Sequence, residues 1–286
     1  MRLVTFTANG VDQIGIVDNQ DVIALSELAP GMPNSMKGLA GTPDVASQLQ
    51  AAMAGKPGAK RMPLNSVSLR AVVPDPGKII CVGLNYADHA AEGGHEIPTY
   101  PALFMRGANS LAAPNDPIIR PKCSDKLDYE AELMIIIGKG GRHIKQADAL
   151  DAVFAYTVFN DGSIRDYQRK SAQWTAGKNF DQTGPVGPWA VTPDELPAGA
   201  SGLKIESRLN GQVMQSSNTE HLIFSVARII EIVSEYSTLM PGDLIATGTP
   251  GGVGWPRKPP VFMKAGDTIE IEVENIGLLT NKIVDE

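Results

Sequence analysis

The segment Asp128-Tyr129-Glu130-Ala131-Glu132-Leu133-Met134-Ile135-Ile136-Ile137-Gly138 constrains this chain more than any other. It begins polar, becomes wholly apolar and stops at a glycine, which reads as a strand with a buried end. Successive side chains of a strand alternate faces, so Glu130 and Glu132 point the same way. Two adjacent carboxylates repel each other, and a bound cation is the simplest compensation near a core. Asp161 ends a second apolar run, Val153-Phe154-Ala155-Tyr156-Thr157-Val158-Phe159, and offers a third carboxylate from a neighbouring strand. Three carboxylates with no nearby Cys or His suit a hard cation, Mg²⁺ or Mn²⁺ rather than Zn²⁺. Such a set leaves about half of an octahedron open, which favours catalysis over a structural metal. A Glu-x-Glu on a strand more often marks a solvated face. The apolar run from Met134 to Ile137 and the polar groups crowded after Asp161 argue for the inward reading here.

At 286 residues the chain suits one large domain with an appendage. Its 43% hydrophobic and 20% charged residues are those of an ordinary globular protein. A net charge of −7 argues against nucleic acid or an anionic membrane as partner. The two cysteines, Cys81 and Cys123, form no CxxC pair and no disulfide framework, which fits a reducing, cytoplasmic setting. The first residues lack the apolar stretch of a signal peptide, and no window approaches the run of about twenty apolar residues that spans a bilayer.

Short strands are predicted over Leu3–Thr7, Gln13–Val17 and Asp21–Ala24, then a Gly/Pro-rich loop (Pro30–Pro43) and a helix over Val45–Ala54. A small β-rich N-terminal domain (1–70) is expected to end before Pro74-Asp75-Pro76-Gly77, with a catalytic domain (71–286) starting at the strand Lys78–Gly83. Lys204–Leu209 and Gln212–Gln215 flank Asn210-Gly211, the preferred two-residue hairpin turn. Leu222, Ile223, Val226, Ile229, Ile230 and Val233 repeat at helical spacing, predicting a helix over Leu222–Tyr236 with this stripe in the core. Pro241-Gly242-Asp243 then launches a strand over Leu244–Thr247. Thr268–Glu274 alternates with period two, which puts Glu270, Glu272 and Glu274 on a solvated face.

Three further polar clusters carry chemistry. If Asn85–Glu92 forms a helical turn, His89 and Glu92 share a face, and the carboxylate would make the imidazole a better base. An incidental surface pair is the plainer reading of that spacing; Gly93 and Gly94 would let the turn move as a lid. Arg165, four residues past Asp161, could clamp a substrate carboxylate, and Lys178 near a metal could stabilise an enolate oxygen. As isolated charges both would sit on a surface. Thr247-Gly248-Thr249-Pro250-Gly251-Gly252-Val253-Gly254 reads equally as a flexible turn or as a loop whose free N–H groups bind an oxyanion. It is not a P-loop, because the Gly-Lys-Ser/Thr ending is missing.

Taken in order, these segments resemble the fumarylacetoacetate hydrolase family from about residue 75 to the C-terminus. Val82-Gly83-Leu84-Asn85-Tyr86-Ala87-Asp88-His89, Asp128–Leu133, Asn160–Asp166, Gly177–Asp181 and Leu239–Pro250 carry the resemblance. It implies an α+β, mainly β fold: a β-sandwich roll preceded by a small N-terminal domain, usually dimeric. It also implies metal ligation by Glu130, Glu132 and Asp161, one Mg²⁺ or Mn²⁺ per subunit, and a catalytic His89–Glu92 pair on a mobile lid. Lys178 takes the place of the active-site lysine, and Arg165, Gln168 and Thr249 fall where substrate is held. Arg106 stands where many relatives have lysine, and Ile164 where they have a small residue; both are expected near the pocket.

The activity expected on this basis is hydrolysis of a carbon–carbon bond in a 2,4-dioxo acid of the acylpyruvate type, a small 2-oxo acid being the partner. His89, oriented by Glu92, would activate water against the 4-carbonyl, and Lys178 would help stabilise the departing pyruvate enolate. Decarboxylation of oxaloacetate or a keto–enol shift would use the same residues. A metal-stabilised protein without turnover would leave His89, Glu92, Lys178 and Arg165 without a task.

Overall fold

A computed structural model describes residues 1–94 and 96–286 of the chain. Two sheets dominate it. Among the described residues the larger has twelve strands, with a principal path from Met62–Pro63 through Asp21–Ala24, Val11–Asp18, Arg2–Ala8, Gly184–Val191, Val153–Asn160, Ala131–Ile137, Leu244–Ala246 and Ile79–Gly83 to Ala102–Arg106. The smaller has five: Gln212–Asn218, Lys204–Leu209, Thr268–Val273, Gly277–Asp285 and Ile118–Arg120. This is the mainly β, α+β architecture the sequence implied.

The strand Ala131–Ile137 is buried at every position, and its two parities serve different cores. Leu133, Ile135 and Ile137 pack with Ile205, Ile269 and Ile271 of the smaller sheet and with the helix Val226–Tyr236. Met134 and Ile136 face a second cluster built with Leu3, Ile14, Leu39 and Phe154. Glu130 and Glu132 share the parity of the second set, where that layer gives way to a cavity. The neighbouring strand Val153–Asn160 runs antiparallel, with Ala131 opposite Asn160 and Glu132 opposite Phe159. That register carries the chain past Asn160 so that the Asp161 N–H donates to the Glu130 carbonyl at 2.9 Å.

Strands and hairpin follow the sequence closely. Asn210 (φ 52°) and Gly211 (φ 80°) make the expected tight turn. Thr268–Val273 alternates buried and half-buried positions, and Glu270 and Glu272 pair with Arg208 at 3.0 and 2.8 Å. Two expectations need correcting. The segment read as a Gly/Pro loop contains a short helix, Met36–Ala40, started by the Ser35 hydroxyl accepting from the Gly38 N–H. The long helix begins at Val226 rather than Leu222, because Ser225 caps it through the Arg228 N–H. Leu222 instead bridges Tyr86 and Ile223 lies in a bend, where its N–H donates to the Asn85 carbonyl at 2.9 Å. The N-terminal strand Arg2–Ala8 joins the large sheet through Arg2 opposite Val191 and Leu3 opposite Ala190. No helix is long and apolar enough to cross a membrane among the described residues.

Candidate active site

Glu130, Glu132 and Asp161 converge at the end of these two strands, with one oxygen of each within 4.8 Å of the others. All three are buried, as are Asp128, Arg106, Arg165 and Lys178. The Lys178 Nζ lies 2.7 Å from Glu130 and 2.5 Å from Asp161. The Arg165 guanidinium reaches Glu130 and Asp128, each at 2.7 Å, and donates to the Gln168 amide oxygen at 2.9 Å. Its remaining nitrogen, Nη2, is buried without a partner among the described residues.

The cations are spread unevenly. Burial pushes the Glu130 carboxyl up, but Lys178 and Arg165 overcome it and hold the group down at about 2. Burial, then the charges of Asp161 and Glu130, raise Glu132 well above the carboxylate range. Against this stand the nearby Lys178 charge and a 2.9 Å hydrogen bond from the Gly248 N–H. Burial alone would lower the Lys178 ammonium; Asp161 and Glu130 raise it instead, so it stays protonated. Four buried carboxylates (Asp128, Glu130, Glu132, Asp161) therefore face three buried cations (Arg106, Arg165, Lys178). Among the described residues Glu132 is the carboxylate of this set with no cation in contact, and a divalent cation there would displace its proton and leave the site attractive to an anion. The donor set and the charge deficit both fit a hard divalent metal.

His89 and Glu92 lie on the helix Ala87–Glu92, with Nδ1 3.0 Å from the Glu92 carboxylate. The other Glu92 oxygen accepts from the Gly252 N–H at 2.9 Å, which fastens this helix to the glycine-rich loop. That loop spends several of its N–H groups on the protein itself, which neither the flexible-turn nor the oxyanion reading of its sequence included. The Gly248, Gly252 and Gly254 N–H groups donate to Glu132, Glu92 and Asp128 at 2.9, 2.9 and 2.8 Å. The loop thus aligns the protein's own carboxylates. The Asp128 carboxylate also accepts from Trp255 N–H and Arg165; in the sequence it reads only as the start of a strand.

A cavity of about 580 Å³ gathers His89, Glu92, Glu130, Glu132, Asp161, Arg165, Gln168, Lys178 and Thr249 in one wall system. Phe104, Trp174 and Trp255 supply its apolar side. Phe104 and Trp174 meet edge to face with ring centroids 5.5 Å apart, and Gly83 is the residue that leaves room for the indole. Arg106 does not line this cavity, contrary to expectation. It lies behind Asp161, bonded to that carboxylate (2.5 Å), the Gly162 carbonyl (3.1 Å), Ser110 (3.1 Å) and Thr183 (2.9 Å). Gly184 makes space for the guanidinium, since a Cβ there would lie 2.8 Å from Nη2. Ile164 is likewise away from the cavity, fully buried in the core below it.

Residues 78–284 match the model of the fumarylacetoacetate (FAA) hydrolase C-terminal family. The chain belongs to the fumarylacetoacetate hydrolase family. Within this family of enzymes it is 41% identical over 290 residues to the mitochondrial oxaloacetate tautomerase Fahd2a of Rattus norvegicus, covering 99% of this chain and 92% of that protein. Among solved structures, the fumarylacetoacetate hydrolase of Exiguobacterium antarcticum aligns over all of both chains with a TM-score of 0.85 and 34% identity. The maleylpyruvate hydrolase of Sphingobium sp. SYK-6, solved with manganese(II) and pyruvate, aligns with a TM-score of 0.82 and 31% identity, covering 100% of this chain and 99% of that one.

Proposed function

We propose that the protein interconverts the keto and enol forms of oxaloacetate or a closely similar 2-oxo dicarboxylic acid, using one Mg²⁺ or Mn²⁺ per chain. The observation that carries this reading is the cluster of Glu130, Glu132 and Asp161 in one cavity with the His89–Glu92 pair. The likeness to a named oxaloacetate tautomerase over nearly the whole chain supports the substrate. Glu130, Glu132 and Asp161 would hold the cation, which when bound polarises the 2-oxo group and acidifies the neighbouring C–H. His89 takes the proton from carbon 3 while Glu92 steadies the imidazolium, which then gives its proton to the 2-oxygen to complete the enol; in the reverse direction the ring takes the enol O–H proton and delivers it to carbon 3. The protonated Lys178 faces the charge that develops on oxygen, and the unpartnered Nη2 of Arg165 meets a substrate carboxylate. Thr249 and Gln168 supply further contacts.

A second reading is hydrolysis of an acylpyruvate-type 2,4-dioxo acid, with His89 activating water. The cavity's volume, about 580 Å³, favours it, since sites of this size enclose ligands well beyond four carbons. The two readings share the homodimer expected of the family and a cytoplasmic setting, which the unpaired Cys81 and Cys123 suit.

The test is a stopped-flow assay of enol-oxaloacetate decay by its ultraviolet absorbance, beside a pyruvate-release assay on acylpyruvates, each with Mg²⁺, Mn²⁺ or EDTA. Metal-dependent ketonisation that drops by about a hundredfold or more in Glu132→Ala and His89→Ala is the expected result. Wild-type activity in Glu132→Ala with metal present would overturn the metal assignment. Pyruvate release without ketonisation would establish the second reading.

A further inference from the structure

Gln215 belongs to the smaller sheet, yet it bridges both parts of the site. Its side chain is buried, and its amide orientation is determined by its neighbours. The oxygen accepts from the Ala131 N–H at 3.0 Å, a group that can only donate, and from the Ser207 hydroxyl at 2.9 Å. The nitrogen donates to the Pro250 carbonyl at 2.8 Å, a group that can only accept, and to Thr249 Oγ1 at 2.7 Å. Both amide protons and both lone pairs are therefore in use.

The consequence falls on Thr249. Its hydroxyl oxygen accepts a hydrogen bond from the Gln215 amide, so its own proton must point along another direction. Among the described residues Oγ1 has no acceptor of its own, and Thr249 lines the cavity. We propose that Gln215 is a positioning residue that holds the Thr249 hydroxyl as a fixed donor into the cavity, selecting substrates with a carboxylate at that end over those ending in a methyl. Because Gln215 also grips the Ala131 N–H, between Glu130 and Glu132, this donor keeps a set distance from the carboxylate cluster. The proposal rests on the oxaloacetate-type reading above and adds the residue pair by which the site would prefer a dicarboxylate.

The test uses calorimetry on the full-length protein loaded with Mn²⁺, comparing 2-oxoglutarate with 2-oxopentanoate, which differ only in carboxylate against methyl. The wild type should bind the dicarboxylate at least about tenfold more tightly. Gln215→Glu reverses the polarity, since the new carboxylate accepts the Thr249 proton, and should remove most of that preference while 2-oxopentanoate affinity changes less than about threefold. Thr249→Val should do the same, Thr249→Ser should retain the preference, and the double variant should be no worse than either single one. Should Gln215→Glu not fold, as judged by its melting curve, Gln215→Met, which removes the amide bonds to Thr249 and Pro250, takes its place beside Thr249→Val. An unchanged preference in these variants, equal weakening of both ligands, or no preference in the wild type would overturn the proposal. A wild type that prefers the dicarboxylate yet fails to ketonise oxaloacetate would overturn the catalytic reading and leave the role of Gln215 standing.

Discussion

Arg106 shows how much a single residue's role depends on depth. Its planar fork makes bonds to Asp161, Gly162, Ser110 and Thr183 that an ammonium has no directions for. Arg106→Lys keeps the charge beside Asp161 but abandons Ser110, Thr183 or the Gly162 carbonyl, leaving buried polar groups unpaired. The expected outcome is a loss of about 1–3 kcal/mol of stability, read as a lower melting temperature, with KM unchanged because the side chain lies outside the cavity. The two strand glutamates respond to pH in opposite senses. Glu130 is depressed to about 2 from 4.5, so its contribution is present above pH 4.5 and is lost as pH falls toward 2. Glu132 is raised, so its contribution to the metal-free fold is full below the ordinary carboxylate range and is lost as pH rises through its own elevated value. Metal binding must displace that proton. Mn²⁺ affinity should therefore fall about tenfold per pH unit below the Glu132 titration, and calorimetry across pH 5–8 would show it. A flat profile would mean that Glu132 is already ionised in the metal-free protein.

Among the elements, the glycine-rich loop carries the sharpest lesson. Gly248 has φ 104°, and a Cβ there would lie 2.8 Å from the Asn85 Cβ and 3.0 Å from the Val82 carbonyl. Gly248→Ala should displace the loop, remove the N–H from Glu132 and weaken Mn²⁺ binding by about tenfold or more. Titration of Mn²⁺ into the variant checks this. The strand alternation, the Asn-Gly turn and the parity of Glu130 and Glu132 are all legible in the sequence, because each depends on neighbours one or two positions away. The destinations of the loop's N–H groups are not. They depend on which carboxylate a distant strand brings alongside, and a run of glycines carries no record of that. Gln215 is hidden for the same reason: locally it is one more polar residue in a hairpin. Leu222 misled because apolar spacing continues past the Ser225 cap into residues that clasp the extended chain at Asn85.

For the whole molecule, the first seventy residues and the catalytic strands are not separated by solvent. Leu3, Ile14, Leu39 and Leu49 share one buried cluster with Met134, Ile136, Phe154 and Val186, on the face that also presents Glu130 and Glu132. We propose that residues 71–286 expressed alone would expose this layer, aggregate and bind Mn²⁺ poorly; light scattering and a metal titration would check both, and a soluble, metal-binding fragment would show the N-terminal part to be dispensable. The fastening of Glu92 to the Gly252 N–H has a different reach. One oxygen of that carboxylate serves the imidazole and the other holds the helix Ala87–Glu92 against the loop. Any excursion of the helix from the loop breaks the second bond and leaves the first without its support. With His89 as the base proposed above, commitment to reaction and escape of product would be set against each other by one side chain, so mutations that hasten release should also unmask the intrinsic isotope effect on proton transfer.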